Sequence, residues 1–376
     1  MSEPPAKKQD PLTADRPGGI ADAVLGMPEP DKTLSPPARL RRDTLHFLAS
    51  LGGELSAFAR AAPGFFMETL RNGAYPDRIT YRKLPYDPER SSLKRLKACN
   101  PEWTFRDDFQ PRHWVFIFLH GYIDNTGADR VAFKLAELGY QVYLVRYPFL
   151  RNVRRLAGEL EEVLAQIARR EQGKRLVPIG HSLGGFIWDH LLLNRPDLIS
   201  THQMPLYIPM GSPHYGTLAA LIGVGASARQ MRPRSDVVLQ HLHRSLPADF
   251  EVYPFVSRFD LLVLPIETAL LETGVNYVFS ETGHVAQVIR GETVRAIEEI
   301  ISSPPELLRE RSRARAFYPS SLLYILSQMP RAWQRKLGLE QITETILGSP
   351  RRPAQHYRVR VVHHELRLGT FPMLKR

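Results

Sequence analysis

The central part of the chain alternates between two hydrophobic patterns. Short continuous apolar runs such as "HWVFIFLH" (113–120), "YQVYLVRY" (140–147) and "RLVPIG" (175–180) are separated by stretches with apolar residues three and four apart. The runs are too short for helices and predict strands buried on both faces. The spaced stretches predict helices over 127–139, 153–171 and 183–195. Further strands are expected at 204–211, 251–257 and 275–280, and a closing helix at 284–302. Strands alternating with helices indicate an α/β fold around a mostly parallel sheet. Residues 79–87, "ITYRKLPYD", read as an antiparallel edge ahead of the alternation.

Outside this region the pattern weakens. Residues 1–40 are rich in proline, charge and small residues and read as disordered. Within a helical extension over 41–100, residues 43–72 hold one or two amphipathic helices, broken at Gly52-Gly53 and Pro63. Their polar face is not strongly basic, so they read as a cover for the domain, with a helix lying on a membrane surface as the alternative. The catalytic domain is expected over 101–303 and a C-terminal extension over 304–376.

Charge sharpens this division. The net charge is +11. Residues 304–376 carry 14 Lys/Arg against 5 Asp/Glu, a surplus of +9. The middle of the chain is therefore near neutral, and a nucleic-acid role for it gains no support. The tail reads as a solvated surface; an electrostatic role for it, including contact at the periphery of a membrane, stays open. The one cysteine, Cys99, excludes an intrachain disulfide. The first residues lack the apolar run of a secretory signal, and no stretch has the roughly 18–20 apolar residues of a membrane span. The expected location is cytoplasmic, with peripheral membrane contact as the variant.

Candidate chemistry begins at the corner between the run at 175–180 and the helix at 183–195. There Gly180-His181-Ser182-Leu183-Gly184 forms G-x-S-x-G. A nucleophile on a sharp strand-to-helix turn needs small neighbours, and the N–H groups of the following helix can hold developing negative charge. No phosphate-loop pattern is present. A serine nucleophile also needs a histidine base and an acid behind it. His181 is a turn neighbour and points elsewhere. Asp189 lies roughly 10 Å down the helix, too far for a relay. Ligands bind at the C-terminal ends of parallel strands. There Asp260 follows the strand at 251–257, and His284 follows the strand at 275–280. The order Ser182, Asp260, His284 is a usable one. Asp236, Asp249 and Glu267 are weaker acids, because none directly follows a strand. The N–H of Leu183 and that of Tyr122, in "HGY" (120–122), are the candidate oxyanion donors.

These segments resemble the α/β-hydrolase superfamily, and within it bacterial triacylglycerol lipases and esterases. The resemblance rests on "HGY" (120–122), "GHSLGG" (180–185), "GSPHYGT" (211–217), "VSRFDLLVLP" (256–265) and "GHV" (283–285). It covers about half the chain. It implies an α/β-hydrolase fold, with Ser182 as nucleophile, His284 as base, Asp260 as acid, and Tyr122 and Leu183 as oxyanion donors. Hydrolysis of acyl esters of apolar character, without metal or cofactor, is the expected activity. Acyl transfer or thioester cleavage on the same triad, and a non-catalytic scaffold, are the alternatives. Residues 217–249 interrupt the alternation where a cap is expected. Their apolar first part, 218–228, reads either as a packed helix and loop or as a moving lid.

Overall fold

The computed structural model describes residues 78–122, 130–279, 282–316, 330–337 and 356–362. The expected disordered start and the helices at 43–72 lie outside the described residues.

The strands are β1 (Thr80–Lys83), β2 (Trp114–Leu119), β3 (Gln141–Arg146), β4 (Arg175–His181), β5 (Leu206–Met210), β6 (Glu251–Val252), β7 (Phe255–Ser257), β8 (Val275–Phe279), β9 (Arg313–Ala316) and β10 (His356–Val362). The helices are α1 (Leu93–Cys99), α2 (Arg130–Glu137), α3 (Val153–Arg170), α4 (Leu183–Asn194), α5 (Asp197–Thr201), α6 (Gly225–Gln230), α7 (Asp236–Leu242), α8 (Gly291–Ser302), α9 (Pro305–Arg311) and α10 (Arg331–Leu337). The sheet runs β1-β3-β2-β4-β5-β7-β8-β10-β9, with β6 paired beside β5. Among the described pairs, β1 with β3 and β9 with β10 are antiparallel, and the others are parallel.

Strands β2, β4 and β5 are buried along almost their whole length, which is why they read as unbroken apolar runs. Their alternate side chains feed two cores. Ile117, Leu119 and Tyr207 join α3 and α4 on one face. Phe116, Phe118 and Ile208 join α2 and α8 on the other. The helix α3 begins where Asn152 accepts hydrogen bonds from the N–H groups of Arg154 and Arg155, a side-chain cap at an otherwise unpaired helix start.

Three features depart from the sequence pattern. The run at 251–257 is two short strands, β6 and β7, because Tyr253-Pro254 interrupts it and proline cannot donate to a ladder. The closing helix does not start at 284. A 3₁₀ turn, Ala286–Val288, comes first, and Arg290 is extended before α8 begins at Gly291. The tail joins the sheet: β10 lies parallel to β8, and β9 covers β10. Residues 217–249 form a 3₁₀ turn (Leu218–Leu221), α6 and α7.

Candidate active site

Ser182 sits at the junction of β4 and α4 with φ 53° and ψ −119°, a conformation a side-chain-bearing residue rarely adopts. The corner needs its glycines. A Cβ on Gly180 would lie 2.4 Å from the Gly185 nitrogen. The Ser182 N–H donates to Met210 O at 2.8 Å, so the end of β5 holds the corner from the side. Ser182 is half-buried while its neighbours His181 and Leu183 are buried.

Asp260 and His284 follow β7 and β8 and are brought together. His284 Nδ1 lies 2.7 Å from Asp260 Oδ2, and both side chains are 2% exposed. A carboxylate only accepts, so Nδ1 carries the proton and Nε2 is left as the acceptor. The other oxygen, Asp260 Oδ1, accepts from the N–H groups of Leu262 at 2.9 Å and Val263 at 2.7 Å. Both carboxylate oxygens are thus committed.

The turn neighbour His181 packs its ring against that of His284, with centroids 4.6 Å apart. Its Nε2 donates to His284 O at 3.3 Å. Burial, then the neighbouring His284, holds it well below the ordinary histidine pKa, so it stays neutral. It packs against His284 and donates to its backbone carbonyl.

The segment after β2 closes the site from the other side. A Cβ on Gly121 would lie 3.2 Å from Ser182 Cβ, so Gly121 passes directly beside the corner. His120 stacks on Tyr147 with centroids 4.2 Å apart and planes 5° from parallel. The Tyr147 hydroxyl donates to His120 O. This holds the segment that carries Tyr122. The Tyr122 ring packs edge-on against Phe149, and its hydroxyl pairs with both the N–H and the carbonyl of Val224. Leu221, Ile222 and Val224, in the stretch that meets the Tyr122 hydroxyl, are exposed, Ile222 by 90%, as are Leu262 and Ile289. Among the described residues no group of side chains is placed to hold a metal ion, and no helix is long and apolar enough to cross a membrane.

No local pattern marks Tyr207 or His214 as part of the site. Both bind Asp189, the acid set aside for its distance from Ser182. Its helical spacing measures its distance from the corner but says nothing of β5. Nearby, burial lowers His190 and His241 to about 4. Their pKa in the unfolded chain is the ordinary 6.5, so between about 4 and 6.5 the unfolded chain binds more protons. Stability is therefore complete above about 6.5, falls as the pH drops towards 4, and levels off below. The expected slope is at most about 1.4 kcal/mol per pH unit for each such histidine. Denaturant titrations at pH 7, 6 and 5 measure it, and His241→Phe should flatten it.

No protein-family model matches the chain, and no curated protein matches it. Solved structures are similar to it. One is phospholipase PlaB from Legionella pneumophila in complex with thio-NAD, 19% identical over 38% of this chain and 38% of that one, with a TM-score of 0.31. The chain thus spans well under half the length of that structure. Another is an alpha/beta hydrolase enzyme from a sediment metagenome of the Mar Chica lagoon in Morocco, 16% identical over 60% of this chain and 95% of that one, with a TM-score of 0.37. A third is the lipase BlEst2 of Bacillus licheniformis in mature form, 13% identical over 59% of this chain and 98% of that one, with a TM-score of 0.40. The mostly parallel sheet and the serine corner at the end of β4 fit the α/β-hydrolase fold.

Proposed function

We propose that the chain is a serine ester hydrolase acting on acyl esters of apolar character. One observation carries this reading: a strained serine corner with a buried, hydrogen-bonded His284–Asp260 pair beside it. Such a pair supplies what a serine hydroxyl lacks at neutral pH, a base fixed in the accepting tautomer.

In this mechanism Ser182 Oγ attacks the ester carbonyl carbon, and its proton passes to His284 Nε2. Asp260 stabilises the imidazolium that forms. The N–H groups of Tyr122 and Leu183 hold the oxyanion, at a point where charge develops only in the transition state. Collapse expels the alcohol, which takes the proton from Nε2 and leaves an acyl-enzyme on Ser182. Water then attacks the acyl carbon and gives a proton to Nε2. The second collapse releases the carboxylic acid and returns the proton to Ser182. Each of these steps uses side chains and backbone groups of the chain itself. The exposed apolar residues Leu221, Ile222 and Val224, beside the Tyr122 hydroxyl, suit a substrate whose acyl group is apolar.

The test is activity-based labelling. A fluorophosphonate is expected to modify the folded chain at Ser182, mapped by mass spectrometry, and to stop hydrolysis of p-nitrophenyl butyrate in proportion. A folded chain that takes no label, or takes it elsewhere without losing turnover, overturns the reading.

A further inference from the structure

Asp189 is a carboxylate in the protein core with an arrangement of its own. It lies on α4, seven residues beyond Ser182, and is 3% exposed. Its Oδ2 accepts from His214 Nδ1 at 2.7 Å. Its Oδ1 lies 3.0 Å from the Tyr207 hydroxyl, which also lies 2.8 Å from Gly185 O and shares its single proton between the two. A buried ion is costly to keep and demands fixed donors, so its position in the fold is informative.

The two donors flank one short segment. Tyr207 is on β5, three residues before Met210, and His214 follows Ser212. Within the segment between them, residues 210–212 touch both halves of the site. Met210 O accepts the Ser182 N–H at 2.8 Å. Gly211 has φ 54°, and a Cβ there would lie 3.1 Å from His284 Nδ1. Ser212 Oγ donates to Gly180 O at 3.4 Å and fills the space beside Gly185, where a Cβ would come within 1.8 Å of it. The serine corner and the His284 ring therefore meet across a strand end that Asp189 secures on both sides.

We propose that Asp189, with Tyr207 and His214, is a buried clamp that sets residues 210–212 and through them the alignment of Ser182 with His284. Asp189 is a positioning residue: it reaches no reacting atom, and it acts through the end of β5. The inference rests on the ester-hydrolase reading above for its kinetic consequence, but its geometric consequence stands apart from that reading.

Asp189→Leu removes both anchor points. Asp189→Asn keeps an oxygen for Tyr207 and places an N–H against His214 Nδ1, which accepts it in the other tautomer. The expected result for the leucine variant is a kcat for p-nitrophenyl butyrate lowered about tenfold to a hundredfold, the scale of a small misalignment of reacting groups. KM should stay within about twofold, the pattern of a loss confined to the transition state. Fluorophosphonate labelling should slow in step, with rates referred to the folded fraction. Asn should restore most of the rate. In protein labelled with ¹⁵N-histidine, the low-field proton of the His284–Asp260 pair should move in the leucine variant and return in the asparagine variant. If the leucine variant does not fold, His214→Phe, which removes one donor, replaces it in the same measurements. Unchanged kcat, labelling and resonance in the folded variant overturn the clamp. So does a loss that the unfolded fraction accounts for in full. A wild-type chain with no ester turnover would instead overturn the hydrolase reading, and the resonance would still decide the clamp.

Discussion

Asp260→Asn is expected to lower kcat/KM for p-nitrophenyl butyrate about 10⁴-fold while the chain stays folded. The size follows from the two committed oxygens. Asp260 Oδ1 accepts from two backbone N–H groups, those of Leu262 and Val263. An asparagine must keep its only oxygen there, since its amide nitrogen would meet two donors in that place. The nitrogen then faces His284 Nδ1, 2.7 Å away in the parent chain. A donor in that position forces Nδ1 to accept, so the proton moves to Nε2, the atom that takes the Ser182 proton in the proposed mechanism. The base is present but in the wrong tautomer. Packing is almost unchanged, so the melting temperature should stay close to that of the parent. Ser182→Ala marks the lower limit of turnover in the same assay. An asparagine variant as active as the parent would show that Asp260 does not set the tautomer.

Gly184→Ala is expected to destabilise the chain by about 3 kcal/mol, the upper end of the usual overpacking cost. A Cβ there would lie 2.4 Å from His120 O and 2.5 Å from Leu119 O. Both obstacles are backbone, at the end of β2, and no rotamer change relieves them. Either α4 moves away from the sheet or the end of β2 shifts. The second outcome carries Gly121 and Tyr122 with it, so turnover per folded molecule should fall as well. Thermal unfolding, expected to drop by about 5 °C or more, measures the first effect, and kcat on the folded fraction measures the second. An alanine variant with the parent's melting temperature would show that the close approach of α4 to β2 is not needed.

Much of this site is legible in the residues because it obeys local rules. The serine corner needs glycines between a buried strand and a helix, and that order is written in consecutive residues. Asp260 and His284 could be chosen from the other acids and the 13 histidines because each directly follows a strand run. Where local rules compete, the pattern misleads. His284 reads as the first residue of a helix, because the apolar spacing continues through 285–289. The chain instead makes a 3₁₀ turn there and starts α8 at Gly291. The tail reads as solvated charge because arginines dominate it. Yet "YRVRVV" alternates with period two, the signal of a strand with one buried face, and Tyr357 and Val359 are buried against Val256 and Val278.

The sequence by itself therefore determined the α/β alternation, the strained corner at Ser182, and which acid and which histidine stand at the ends of strands. These depend on residues close together in the chain, where spacing and steric rules apply directly. The tertiary structure decided the rest: that the tail extends the sheet beyond β8, that Gly121 passes beside Ser182, and that Asp189 meets Tyr207 and His214. Each of these is a contact between different elements of the fold. The order in which strands join a sheet decides them, and no periodicity within a single segment encodes that order.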